Sequence, residues 1–152
     1  MYALAGLESG ISGALALLLW LAIGSVLTGH SVWWVPNLVA AVRYGASSLR
    51  ESAGVYTAMG AALIFLTYGV VGIVYGQLLG ERGGGFRQFC FSLIVAMGVD
   101  WVVLRWFWTA VNPTGHLYAS DTQILFGHLI FGCLLARYPH NLRLLSRVVG
   151  RC

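Results

Sequence analysis

Four long runs of apolar residues, separated by short links that are polar or carry arginine, set the pattern of this chain. A helix rises about 1.5 Å per residue, so crossing a ~30 Å hydrocarbon core takes about 20 apolar residues. The first run covers 10–28, between Glu8 and His30. The second, 53–79, contains no charge and is long enough to tilt. The third, 88–111, is interrupted by Asp100 and Arg105, and the fourth, 120–138, is shorter and contains His128. The runs are continuous rather than alternating, so the pattern predicts transmembrane helices and not a barrel. The expected fold is an all-α membrane protein of four spans in one integral membrane domain, with 139–152 as a basic cytoplasmic tail.

The link between the first two runs has a pattern of its own. Val35, Leu38, Val39 and Val42 recur at helical spacing, and Pro36 stands where a first helical turn tolerates it. This predicts an interfacial amphipathic helix between spans one and two. The apolar stretch 14–22 has no Lys or Arg before it and no clear small-residue cleavage site after it, so it is expected to be retained as the first span.

Composition sharpens the membrane reading. Hydrophobic residues make up 59% of the 152 and charged residues 9%, against about 25% charged in a soluble domain. A core this small could not hide that much apolar surface from water. The net charge of +4 comes from nine basic residues, all Arg, lying beside the hydrophobic runs. That placement fits topology-setting flanks rather than a nucleic-acid stripe. With both termini in the cytoplasm, Arg82, Arg87, Arg137, Arg143, Arg147 and Arg151 lie inside, and only Arg43 and Arg50 outside. The excess of inner arginines predicts that sidedness in a bacterial inner membrane. Trp33, Trp34, Trp106, Trp108 and Tyr118 then form an outer aromatic belt. Cys90, Cys133 and Cys152 make no C-x-x-C pair and read as free thiols.

Two segments share a pattern. Tyr75-Gly76-Gln77-Leu78-Leu79-Gly80 parallels Phe131-Gly132-Cys133-Leu134-Leu135-Ala136, and each follows a link bearing tryptophan and proline. The match predicts two tandem helical hairpins of like orientation. In this register Gly72, Gly76 and Gly80 form a close-packing stripe, and His128, Gly132 and Ala136 form its counterpart. Glycine faces of this kind suit a homo-oligomer or association with other membrane subunits.

Ionisable groups inside a span are costly and mark either a functional site or a buried partner. Asp100 lies 12 residues into the third run, near its middle. Arg105 is about 140° further around the helix and close enough to the outer surface to snorkel. The expected partner of Asp100 is His128, as a proton- or ion-linked site or as a hydrogen bond joining two helices. His30, His116, Asp121 and His128 all belong to the outer half and include metal-ligand types, yet their spacing matches no metal motif. No cofactor is therefore expected, with metal or haem held by those histidines as the departure from it. No nucleophile-elbow, zinc-protease or phosphate-loop motif is present, so no enzymatic reaction is indicated.

The stretch Leu125-Phe126-Gly127-His128-Leu129-Ile130 resembles the last helix of YagU-type bacterial inner-membrane proteins. The resemblance covers span four and the general pattern of spans two and three. It implies a small multi-span membrane protein and transfers no catalytic residue. The expected function is that of a packing or accessory subunit or homo-oligomer; the alternative is a proton-coupled transporter of small solutes or ions using Asp100 and His128, and the third reading is a haem- or quinone-linked redox subunit.

Overall fold

The computed structural model describes residues 1–49, 52–82, 84–103 and 121–149. Every regular element among them is helical: α1 (Tyr2–Leu27), α2 (Trp34–Tyr44), α3 (Val55–Leu79), α4 (Gly85–Val102), α5 (Asp121–Leu135) and α6 (Tyr138–Val149). Helices α1 and α3, of 26 and 25 residues, are each long and apolar enough to cross a membrane.

Helix α1 begins at Tyr2, eight residues before the expected start of the first span. A single exposed Glu8 does not stop a helix whose backbone bonds continue, and the preceding turns are rich in Ala and Leu, which favour helix. Small residues on one side of α1 let α3 approach to backbone contact. A Cβ on Gly72 would collide with the Gly6 carbonyl and lie 2.8 Å from the Gly10 Cα. A Cβ on Gly76 would meet the Tyr2 carbonyl oxygen at 2.5 Å. Gly72 and Gly76 of the predicted stripe both face α1 of the same chain. Gly80 does not belong to it. Nothing lies within 4 Å of a Cβ built there, and its φ of +53° ends α3 in a conformation that glycine adopts without strain.

Helix α2 folds back along the start of α3. Gly60 faces the Pro36 carbonyl at close range. Thr57 Oγ1 donates to Asn37 Oδ1 at 2.7 Å, and Asn37 Nδ2 donates to the Ser52 carbonyl at 3.2 Å. Leu38 is buried, so part of the stripe predicted to face lipid packs on protein instead. Of the expected belt, Trp33 is exposed, whereas Trp34 is buried and stacks on His30 at 4.5 Å. Trp106, Trp108 and Tyr118 lie outside the described residues.

Helix α5 ends at Leu135, short of the predicted 138. Pro139 explains the stop: it has no N–H to donate to the Leu135 carbonyl, and its ring clashes with that group in a continued helix. After a two-residue turn the chain starts α6, where proline is tolerated in the first turn. The segment expected to be a tail is thus a docked helix over most of its length. Tyr138 Oη shares its one hydrogen between the carbonyls of Gly76 at 3.0 Å and Gly80 at 2.9 Å, at the end of α3. Asn141 Nδ2 donates to Ser9 Oγ on α1 at 3.0 Å. Burial pushes the Tyr138 phenol upward, so the hydroxyl stays a donor at neutral pH. Tyr138→Phe keeps the ring but removes this donor, and should lower stability by about 1 kcal/mol. The check is thermal unfolding in detergent; an unchanged midpoint contradicts the docking role.

Candidate functional site

Three polar side chains from three helices meet in the apolar interior. His128 of α5 is at the centre and 1% exposed. Its Nε2 lies 2.7 Å from Tyr68 Oη of α3, and its Nδ1 lies 2.9 Å from Asp100 Oδ1 of α4. Nδ1 also lies 3.0 Å from the carbonyl of Ile124, one turn back on α5.

Packing fixes these positions. Gly10 on α1 leaves room for the backbone of α3 at Tyr68, and Gly13 leaves room for the Phe131 ring. Phe131 meets Tyr68 edge to face at 4.8 Å, which orients the phenol toward the imidazole. On the opposite side, Gly132 brings α5 against Ser92 and Ala96 of α4, so that Asp100, two turns after Ser92, comes level with His128. Gly10, Gly13 and Gly132 therefore set the geometry of the whole cluster.

Hydrogen-bond bookkeeping gives the cluster its chemical character. With Nδ1 protonated, the phenol donates to Nε2, while the Nδ1 hydrogen faces two acceptors, the Ile124 carbonyl and Asp100 Oδ1. The hydrogen aligns with Ile124. Among the described residues, buried Asp100 Oδ1 has no donor aligned on it despite its 2.9 Å separation from Nδ1. The cluster thus holds an acceptor beyond its donors, in a row of three groups that each exchange protons.

The predicted partnership of Asp100 with His128 is present. Tyr68 was not singled out from the sequence, although it lies four residues before Gly72 on the same stripe, and a phenol in a charge-free span needs a partner for its hydroxyl. Arg105 and His116 lie outside the described residues. His30 is stacked on Trp34, and Asp121 is exposed at the first position of α5. No three His, Cys, Asp or Glu side chains among the described residues are grouped to hold a metal ion. Haem ligation by His128 would have to displace Tyr68 from Nε2, because both ring nitrogens are engaged.

Of the remaining packing candidates, Gly132 is a close-contact position, whereas Ala136 lies in the turn after α5. There its carbonyl accepts from Gln88 Nε2 at 3.1 Å. The buried Gln88 also reaches Tyr75 Oη, which ties α4 to α3 at this end. No family model, characterised protein or solved structure matches the chain.

Proposed function

We propose that this is a four-span protein of a bacterial inner membrane that moves protons, alone or coupled to a small solute, through Asp100 and His128. One observation carries the reading: Tyr68, His128 and Asp100 form a contiguous row of titratable side chains across three helices. Buried ionisable residues of this kind mark proton relays in membrane proteins.

The membrane setting is supported by how little of the apolar helices is covered. Only 33% of the most apolar stretch of α1, and of α3, is buried, whereas the core helix of a soluble protein is mostly buried. Leu4, Ile11, Leu15, Leu19 and Ile23 of α1 face outward. Lipid solvates such a face and water does not. Helix α4, at 18 residues, is about 27 Å long. Two tandem hairpins are supported by the sister glycines Gly76 and Gly132. Each approaches the helix that opens its own half, α1 in one case and α4 in the other. The arginine distribution favours cytoplasmic termini.

Reconstitution into liposomes with an internal pH-sensitive dye tests the proposal. The expected result is that the protein dissipates an imposed pH gradient and that Asp100→Asn slows this at least ~10-fold, as loss of an essential proton-transfer group does. Circular dichroism should remain helical. A flux equal to that of the parent protein in Asp100→Asn refutes the proposal.

One observation favours a second reading, an accessory subunit or homo-oligomer. Helix α4 packs mainly on α5 and leaves Phe86, Ile94, Met97 and Trp101 each more than half exposed. Association through that face would cover large side chains rather than the glycine stripe.

A further inference from the structure

We infer that α6 is a binding surface for anionic phospholipid on the cytoplasmic leaflet. This rests on α5 crossing the bilayer and not on the proton relay.

Helix α6 has two unlike sides. Tyr138 and Asn141 are buried against α3 and α1, and Leu142 and Leu145 pack on the same core. The outward side carries His140, Arg143 and Arg147, together with the exposed Leu144, and Arg137 precedes it in the turn. No acidic residue follows Asp121 anywhere in the sequence. At the same end of the molecule Glu81 accepts a hydrogen bond from Tyr2 Oη at 2.8 Å, and Arg87 is exposed on the first turn of α4. A cleft of about 260 Å³ opens between the start of α4 and α6, with His140 and Arg143 among its lining residues.

These features select the partner. The two-residue turn holds α6 at the end of α5, and with α5 across the bilayer headgroup charge acts on it over a Debye length of ~8–10 Å. Its docked face leaves the arginines no partner role in the interior, and the outward face pairs cations with a leucine, as interfacial helices do. Each arginine near an anionic leaflet strengthens binding about fivefold. A phosphodiester whose headgroup carries no compensating cation, as in phosphatidylglycerol, is the matching chemistry. A zwitterionic headgroup is not.

The test uses the full-length protein in a neutral detergent, titrated with phosphatidylglycerol or phosphatidylcholine while the thermal midpoint is followed. Phosphatidylglycerol should raise the midpoint and phosphatidylcholine should not. Arg143→Gln with Arg147→Gln should weaken the apparent affinity about 25-fold, whereas the lysine pair should retain most of it, because a headgroup accepts a point charge. Equal stabilisation by phosphatidylcholine, or full affinity in the glutamine pair, overturns the inference. So does an equal effect of soluble glycerophosphate, which would make the site one for a free anion. Sidedness is read separately by Ser146→Cys in a background without the native cysteines. Labelling by an impermeant maleimide only after the cells are opened supports the cytoplasmic leaflet, and labelling of intact cells overturns it.

Discussion

Gly72→Leu should unfold the packing of α1 on α3, with a loss of about 3 kcal/mol or more. Even the first added carbon collides with the Gly6 carbonyl and lies 2.9 Å from the Gly10 nitrogen. These are backbone atoms, so no rotamer change relieves the contact and the two helices must move apart. Their interface is the most extensive among the described helices, and separation weakens it along its length. It also withdraws Tyr68, one turn away on α3, from His128. Gly98→Leu on α4 is the matched control, because nothing lies within 4 Å of a Cβ there. Unfolding in detergent should separate the two variants clearly. Equal stability would mean that the glycine contact between α1 and α3 is not what holds the bundle.

His128→Leu should cost about 3 kcal/mol, because it strands Asp100 and the Tyr68 hydroxyl in an apolar interior. Replacing all three residues, as Tyr68→Phe, Asp100→Leu and His128→Leu, should restore most of that stability. Removing every partner at once leaves no unsatisfied polar group. Proton flux should not return with it. The comparison separates a relay from interhelical glue, since glue contributes on the order of 0.6 kcal/mol and nothing else. A triple variant that still dissipates a pH gradient would dispose of the relay. A His128→Leu protein as stable as its parent would show that the cluster has little structural weight.

The two predictions divide the molecule into a frame and a site. Glycines at 6, 10 and 72 allow backbone approach, and the approach delivers a phenol to an imidazole. The same glycines were legible in sequence as a stripe at four-residue spacing, but the stripe does not say whose helix will fill it. Small residues are equally suited to a neighbour in the same chain or in another. The fold resolves this with Gly6 and Gly10, the first of which lies before the expected start of the first span.

Boundaries were legible where backbone chemistry dictates them. Pro139 is a stop signal for any helix entering it, and its missing N–H acts one turn back, which ends α5 at Leu135 where the predicted fourth span ran on to 138. Gly80 shows the reverse. Its spacing fits the packing stripe, while its positive φ assigns it to helix termination. Side-chain spacing cannot distinguish those roles, because glycine serves both close approach and left-handed backbone.

Sequence by itself determined that this chain is helical, that it carries apolar runs long enough to cross a membrane, and that Asp100 and His128 need each other or something like each other. The reason is local: apolar run length and the cost of an isolated charge in hydrocarbon depend on composition along one segment. Tertiary structure decided that Tyr68 completes the row, that the arginine-bearing C-terminal segment is a docked helix, and that the glycines serve α1. Those outcomes depend on which surfaces of different helices meet, and a contact across 60 residues of chain, such as Tyr68 with His128, leaves no mark on either segment alone.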